Sequence, residues 1–480
     1  MPSADDWDAA RPVYVVWELT LACDQRCGHC GSRAGRPRER ELDREECLCV
    51  VAQLAALGTR EITLIGGEAY LHRAWLDVIR SIVEHGMLCT LQTGGRRLSE
   101  ERLDAAIDAG LGALGVSIDG PEAIHDALRG VQGSAAIAWW LLERARARGL
   151  PTTVNTTVTP AAMPHLDSML ESIVAAEVRT WQIGINVAMG RAADGLGGLL
   201  QPYDLLELVP TLARLAEAGR ERGVTLMPGN TVGYFGPHET LLRHAGDGKR
   251  HWTGCSAGRN GMGIESDGTI KACPSLPRED YAAGSVRDGP IAGMWSHDAT
   301  RYLRTRTVED LWGFCRSCVH AADCLAGCSW VSHSFMGRPG NNPYCHHRAL
   351  ELRARGLRER VEHVAAPPGR PFDLGRFALW LEPIDGQGEA VLQVPPAWER
   401  PSTAERAERA LPRRLVPCPA CGRHSPGEDG RCGACGYDLA EADAERSARL
   451  RRARRALVRL RVLMDDARLD AGASRPGDGA

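Results

Sequence analysis

Between residues 13 and 222 short apolar runs alternate with longer amphipathic stretches, and this alternation restricts the possible folds more than any other feature of the 480-residue chain. Residues 13–21, 60–65, 87–92, 114–119, 152–158 and 180–187 read as strands, being short, aliphatic and bounded by Gly or polar turns. Stretches with helical periodicity follow them at 45–57, 74–85, 99–109, 133–148, 163–176 and 202–222, with Gly58 closing the first and Ser99 capping the third. Strand–helix alternation of this kind predicts parallel strands covered by helices, about six repeats in all. In such folds the ligand-binding residues sit at the C-terminal ends of the strands. Those ends carry Gly66-Gly67-Glu68, Thr93-Gly94-Gly95, Ser117 with Asp119, and Met189-Gly190-Arg191, while Asn155 falls within the fifth strand. A buried structural hydrogen bond is the competing reading for each, and for Asp119 it weighs equally. The glycine-rich stretch 184–198 lacks the spacing and lysine of a phosphate loop.

Seventeen cysteines are distributed in compact sets, which argues for metal ligation over a disulfide scaffold. The first set, Cys23-x3-Cys27-x2-Cys30, directly follows the first strand; a thiolate loop suits iron, zinc or another soft metal. The second comprises Cys255, Cys273, Cys315, Cys318, Cys324, Cys328 and Cys345, and its run Cys315-x2-Cys318-x5-Cys324-x3-Cys328 is too regular for packing residues. Residues 261–273 place the polar turn Ser266-Asp267-Gly268 between short apolar pieces and read as a hairpin. The third, Cys418-x2-Cys421 and Cys432-x2-Cys435 with ten residues between the pairs, has the spacing of a structural zinc site; rubredoxin-like iron is the minority alternative. Cys47, Cys49 and Cys89 fall outside these sets and read as buried thiols.

The spacing of Cys23, Cys27 and Cys30 and the Gly66-Gly67-Glu68 strand end resemble the radical S-adenosylmethionine (radical SAM) superfamily. His29 stands where an aromatic residue is common there, and Gly31 where many members have Tyr. The second cysteine set resembles the SPASM extension found behind such catalytic domains, and the resemblance covers roughly residues 13–347. It implies a partial (β/α)6 TIM barrel, then a small cysteine-rich SPASM domain and a zinc-ribbon-like tail. It also implies three 4Fe-4S clusters: one on Cys23, Cys27 and Cys30 with one iron open to S-adenosylmethionine, an outer auxiliary one on Cys315, Cys318, Cys324 and Cys345, and an inner one on Cys255, Cys273 and Cys328. Members often have another cysteine where Gly261 stands, so the inner cluster lacks a fourth cysteine. Mononuclear zinc competes for these seven cysteines, but seven ligands do not divide into four-ligand sites. By the same resemblance Gly66, Gly67 and Glu68 hold the amino group of S-adenosylmethionine, and Ser117, Asn155 and Arg191 its carboxylate or ribose.

The activity this implies is cleavage of S-adenosylmethionine to a 5'-deoxyadenosyl radical that abstracts hydrogen from a residue of a ribosomally made precursor peptide, forming a crosslink or another oxidative modification. A low-potential donor such as flavodoxin or ferredoxin is the expected electron source. Formylglycine formation on a sulfatase is the enzymatic alternative, weakened because Pro274 follows Cys273 where those maturases have an acid. A zinc-binding regulatory or nucleic-acid-binding module is the alternative of another class, resting on the third cysteine set and the basic, leucine-bearing helix expected over 449–464. The net charge of -3 gives no case for a nucleic-acid or membrane partner, and with no apolar run of membrane-spanning length the expected location is cytoplasmic.

The expected domains are 12–230 for the barrel, 231–350 for SPASM, 351–412 for a linker and small β segment, 413–438 for the ribbon and 439–470 for the basic helix. Within them, 353–361 reads as a helix, 366–371 as a linker, and 377–382 with 390–394 as a strand pair around Asp385-Gly386. His320, His333, His346 and His347 lie among the second-set cysteines, Trp312, Phe314 and Trp330 read as packing residues, and Tyr234, Phe235 and His238 read as connector residues with a lesser case for substrate contact.

Overall fold

Strands covered on both faces need near-continuous apolar sequence, and the chain supplies it at β1 (Tyr14–Thr20), where Val15 and Trp17 are fully buried. The computed structural model describes residues 3–398 apart from 234, 244–250 and 253, together with 416, 417, 424, 425 and 431. The chain divides into two units, Met1–Pro412 and Arg413–Ala480. In the second unit the short strands Val416–Pro417 and His424–Ser425 pair antiparallel. Cys418, Cys421, Cys432, Cys435 and the expected basic helix lie outside the described residues, as does Tyr234.

In the first unit, β1 is followed by β2 (Glu61–Gly66), β3 (Leu88–Thr93), β4 (Ala113–Ser117), β5 (Thr152–Val158), β6 (Thr180–Ile185) and β7 (Thr225–Pro228), each pairing parallel with the one before. Helices Arg44–Ala56, Trp75–Glu84, Glu100–Asp108, Ser134–Ala147, Leu166–Ala175 and Leu205–Glu221 connect these strands. Asp43 and Ser99 cap the first and third by accepting from the amides of Glu46 and Arg102. Strand β7 escapes sequence reading because it has four residues, two of them exposed, and ends in proline. The helix Glu122–Arg129 was also not anticipated.

The expected hairpin forms as β8 (Gly261–Ile264) and β9 (Thr269–Lys271), but it does not stand alone. Strand β8 pairs parallel with β1, Tyr14 opposite Gly261 and Trp17 opposite Ile264, and β10 (Ala282–Ser285) pairs antiparallel with β9. One mixed sheet results, in the order β10-β9-β8-β1-β2-β3-β4-β5-β6-β7. Among the described residues no helix is long and apolar enough to cross a membrane.

The helix expected over 353–361 is a correction. The helix His346–Ala354 stops at Gly356, whose φ is 71°, and Leu357–Ala365 is a strand, β11. It pairs antiparallel with β12 (Arg376–Pro383), which pairs with β13 (Val391–Gln393). Helix propensity of the Arg, Glu and Leu residues here yields to cross-strand pairing: Arg358 and Arg360 both donate to Glu382, at 2.9 and 3.0 Å. Glu359 turns inward instead and pairs with Arg348, both side chains nearly inaccessible.

Candidate active site and its cysteine groups

The loop after β1 is closed at its neck by backbone pairing. Cys23 N donates to Gly35 O at 3.1 Å and Gly35 N to Leu21 O at 3.0 Å, so residues 22–35 form a pinned lobe containing Cys23, Cys27 and Cys30. The helix Glu122–Arg129 points its C-terminal carbonyls at this lobe, where Leu128 O and Arg129 O accept from Gly28 N at 2.8 Å and Arg26 N at 3.3 Å. From the end of β6, Arg191 donates through Nε to Cys27 O at 2.7 Å and through both terminal nitrogens to Ala34 O at 3.2 Å. Its guanidinium therefore braces the loop.

The end of β2 reaches the lobe because it has no side chains there. A Cβ on Gly66 would lie 2.2 Å from Thr20 O, and one on Gly67 would lie 2.1 Å from Ala22 O and 2.7 Å from the Cys23 Cβ. The approach is fixed by Gly67 N donating to Thr20 O and Glu68 N to Ala22 O, each at 2.8 Å. Glu68 is 2% exposed and accepts from Thr93 Oγ1 and, at 2.8 Å, from Gly94 N. Burial nevertheless pushes its carboxyl up to about 7. Ligand atoms of Cys23, Asp24 and Glu68 lie within 4.8 Å of one another.

Ser117 and Asn155 face each other in register across β4 and β5. Asn155 Nδ2 donates to Gln92 Oε1, and this amide pair fills the space left by Gly115, where a Cβ would meet Gln92 at 2.0 Å and Asn155 at 2.6 Å. Sequence reading missed Gln92, whose only signal was its place one residue before Thr93-Gly94. It also missed Arg129, which donates to Asp119 at 2.8 Å and to Cys27 Sγ at 3.8 Å.

Residues 366–371, expected as a linker, belong to the β11–β12 loop, and that loop reaches the same lobe. Asp373 accepts from Arg33 Nε at 2.7 Å and its carbonyl from Gly190 N at 2.9 Å, while Phe372, at a φ of 57°, covers the fully buried Lys271 ammonium at 4.3 Å.

This lobe suits a thiolate-bound iron–sulfur cluster and a zwitterionic ligand. Burial holds Cys23 up near 12 and also raises Cys27, so the metal-free thiols are neutral at pH 7 and give up protons when they ligate. Asp24 Oδ1, Gln25 Nε2, His29 Nδ1 and Asn155 Oδ1 are buried without a hydrogen-bond partner, unlike most buried polar atoms. Beside the lobe lies a cavity of about 370 Å³ lined by Cys23, Asp24, Arg26, Arg33, Arg96 and Arg191, among others.

The seven cysteines of the second set fall into two groups. Cys255, Cys273 and Cys328 are close enough to raise one another's pKa, with burial the larger cause, and Cys273 is pushed up to about 11. Cys315 and Cys318 likewise raise Cys324 and Cys345, again with burial the larger cause. Between Cys324 and Cys328 the residues Leu325, Ala326 and Gly327 have φ of 49°, 60° and 59°. Left-handed backbone at two non-glycine residues costs roughly 1–3 kcal/mol each, a strain held between Cys324 and Cys328. Trp330 and Trp398 pack against the same buried cluster as Cys255 and Cys273, built on Leu276, Tyr281 and Tyr302, and buried Trp312 and Phe235 fill the domain, Phe235 stacking on His320 at 4.6 Å. Cys47 and Cys89 are buried, but Cys49 is exposed on the outer face of its helix, which corrects the expectation of a buried thiol.

The description of the radical SAM superfamily matches residues 17–174, and that of the SPASM iron-sulfur cluster-binding domain matches residues 255–319. The AdoMet-dependent heme synthase of Methanosarcina barkeri is 26% identical over 348 residues, 70% of this chain and 97% of that protein. The mycofactocin maturase MftC of Mycobacterium ulcerans is 27% identical over 366 residues, 73% of this chain and 94% of that protein. The structure of Streptococcus suis SuiB bound to precursor peptide SuiA superimposes with a TM-score of 0.52 at 15% identity, covering 70% of this chain and 75% of that one, and at this identity the likeness is one of fold. A thiol-bearing lobe closed by a Gly-Gly-Glu strand end, backed by a second cysteine-rich region, therefore coincides with the matched regions: this chain carries a radical SAM catalytic domain over residues 17–174 and an iron–sulfur cluster-binding SPASM domain over residues 255–319.

Proposed function

We propose that this enzyme modifies a residue of a ribosomally made precursor peptide, leaving a crosslink or another oxidative change. The observation that carries the reading is that ten of the thirteen described cysteines lie in two regions where they act on one another, Cys23, Cys27 and Cys30 in one and seven between 255 and 345 in the other. Cys23, Cys27 and Cys30 hold the catalytic 4Fe-4S cluster, Cys255, Cys273 and Cys328 an inner auxiliary cluster, and Cys315, Cys318, Cys324 and Cys345 an outer one. When bound, cluster and S-adenosylmethionine supply a 5'-deoxyadenosyl radical able to remove hydrogen from an unactivated carbon. The protein's part is placement: Glu68 and the open backbone of Gly66 and Gly67 receive the ammonium, Ser117 and Asn155 the carboxylate or ribose, and Arg191 keeps the cysteine lobe in position. The β1–β6 region, within residues 12–230, serves as the partial barrel and 231–350 as the auxiliary domain, with 351–412 following. Residues 413–438 bind zinc through Cys418, Cys421, Cys432 and Cys435, and 439–470 add the basic helix. A flavodoxin- or ferredoxin-type protein supplies the electron.

A peptide substrate is supported by the similarity to MftC and to the sporulation killing factor maturation protein SkfB of Bacillus subtilis, and by the fold shared with SuiB. A heme-type substrate is the second reading, favoured by the heme synthases at comparable identity. Iron and sulfide analysis of anaerobically reconstituted protein tests the common ground. About twelve irons per chain and reductive formation of 5'-deoxyadenosine are expected for three such clusters, and zinc alone would sink the reading. Mass change in a short peptide encoded beside this gene, against turnover of an iron porphyrin precursor, separates the two substrates.

A further inference from the structure

A buried cation within hydrogen-bond reach of the Cys27 sulfur, Arg129, has no part in the scheme above. Arg129 ends the helix Glu122–Arg129, is 8% exposed, and is fixed to the lobe because its carbonyl accepts from Arg26 N. Its guanidinium spans two groups. Nε and Nη2 lie 2.8 and 2.6 Å from Asp119 Oδ2, and Nη1 lies 3.8 Å from Cys27 Sγ. Asp119 is fully buried and held in turn, Oδ1 accepting from Thr157 N at 2.9 Å while its own amide donates to His125 Nδ1 at 3.1 Å. Glu68 also acts on Arg129, and two imidazoles lie beside the pair, His29 Nε2 at 3.8 Å from Asp119 Oδ2 and His125 Nδ1 on the Asp119 amide. Arg129 and Asp119 form a buried dipole, arginine toward the cysteine and aspartate away from it.

We infer that Arg129 sets the reduction potential of the catalytic cluster by placing a fixed positive charge against the Cys27 ligand. This rests on the reading of Cys23, Cys27 and Cys30 as cluster ligands. One electron from a low-potential donor enters, no proton moves on Arg129, and the cluster becomes one unit more negative. A buried cation at ligand distance favours that more negative state, because little water screens it and hydrogen bonds to the sulfurs tune such potentials. Arg129 is thus a positioning residue acting through Cys27, and Asp119 moderates it.

The competing view is a purely structural Arg–Asp brace, and the potential tells them apart. The holoenzyme is poised across a dye-mediated redox titration and followed by electron paramagnetic resonance, using the signal that S-adenosylmethionine perturbs to single out the catalytic cluster. Arg129→Met is expected to shift the oxidised-to-reduced ratio at least tenfold toward the oxidised form, 59 mV lower for one electron. Arg129→Lys keeps the charge and recovers most of that shift, and Asp119→Asn moves the potential in the opposite direction. Should Arg129→Met fail to load iron, the sign of the Asp119→Asn shift decides. A change under twofold in Arg129→Met, or a downward shift in Asp119→Asn, overturns the inference while leaving the enzyme assignment intact. Absence of any signal perturbed by S-adenosylmethionine in the unaltered protein would instead remove the assignment on which it rests.

Discussion

Gly67→Ala tests the contact on which the site depends. The added methyl would sit 2.1 Å from Ala22 O and 2.7 Å from the Cys23 Cβ, and neither obstacle is the end of a flexible side chain. Carbon and carbonyl oxygen tolerate roughly 3.3 Å, so strand end and cysteine lobe must part by about 1.2 Å. That separation stretches the 2.8 Å bond from Glu68 N to Ala22 O beyond hydrogen-bonding range. Overpacking of about 1–3 kcal/mol plus about 1 kcal/mol for the lost bond gives a loss of roughly 2–4 kcal/mol. For a domain of this size class that is a fall in Tm of roughly 4–16 °C. If the lobe yields instead, the damage appears as poor iron incorporation, because Cys23 moves with Ala22. Gly35→Ala is the matched control: it sits at the neck of the same lobe, yet its Cβ would meet nothing within 4 Å. Thermal unfolding of the metal-free proteins and iron content after reconstitution are the two measurements. If Gly67→Ala matches Gly35→Ala in both, the strand end does not press on the lobe as described and the argument fails.

Arg348→Met should destabilise the protein by about 3–5 kcal/mol because it strands the buried Glu359 carboxylate, and adding Glu359→Leu should restore most of it; denaturant midpoints of the three forms give the comparison. His333 is 3% exposed, and burial pushes its pKa down to about 4 despite the Asp280 carboxylate 3.6 Å away, which is 43% exposed and therefore well screened. The folded protein thus binds fewer protons than the unfolded chain, so stability present above pH 6.5 is lost as the pH falls toward 4; the Tm of His333→Gln should depend less on pH between 7.5 and 5, and an unaltered pH slope would refute this. Trp398 packs against Tyr281, Tyr302 and His333 with ring centroids 5.6–6.3 Å apart and covers the cluster that Cys255 and Cys273 also pack against, so Trp398→Ala should speed loss of visible iron–sulfur absorbance in air, and an unchanged decay would show that it shields nothing. Asp373→Asn removes the carboxylate holding Arg33 and the amides of Gly369 and Arg370, and should speed hydrogen–deuterium exchange at those two amides; unchanged exchange would show that the carboxylate does not hold them.

Strands β1 to β4 were legible because parallel strands buried on both faces are written as apolar runs, and β5, with five of its seven residues polar, because its Thr and Val are β-branched and alternate in burial. Strand β11 was illegible for the opposite reason. Its Arg-Glu-Arg-Val-Glu stretch suits a helix locally, and only pairing with β12 and the inward Arg348–Glu359 contact make it extended. At the site, residues whose chemistry is intrinsic could be read directly, since a thiol or a paired glycine is distinctive wherever it stands. Residues whose role comes from a neighbour could not. Arg129 looks like an ordinary charge near a helix end until the fold sets it between Asp119 and Cys27, and Gln92 needs the empty position of Gly115, opposite it on the next strand. Phe372 and Asp373 are the extreme case, because they approach the lobe from more than 330 residues downstream, through Arg33 at a separation of 340. The same division bears on substrate choice. The cysteine lobe and its Gly-Gly-Glu edge lie within the radical SAM match, whereas Phe372 and Asp373 of the β11–β12 loop, which meet Lys271 and Arg33, lie outside both matched regions. Differences between a peptide and a heme-type substrate are therefore to be sought in that loop before the lobe, since exchanging it alters what lies beside the cysteines without altering the cysteines themselves.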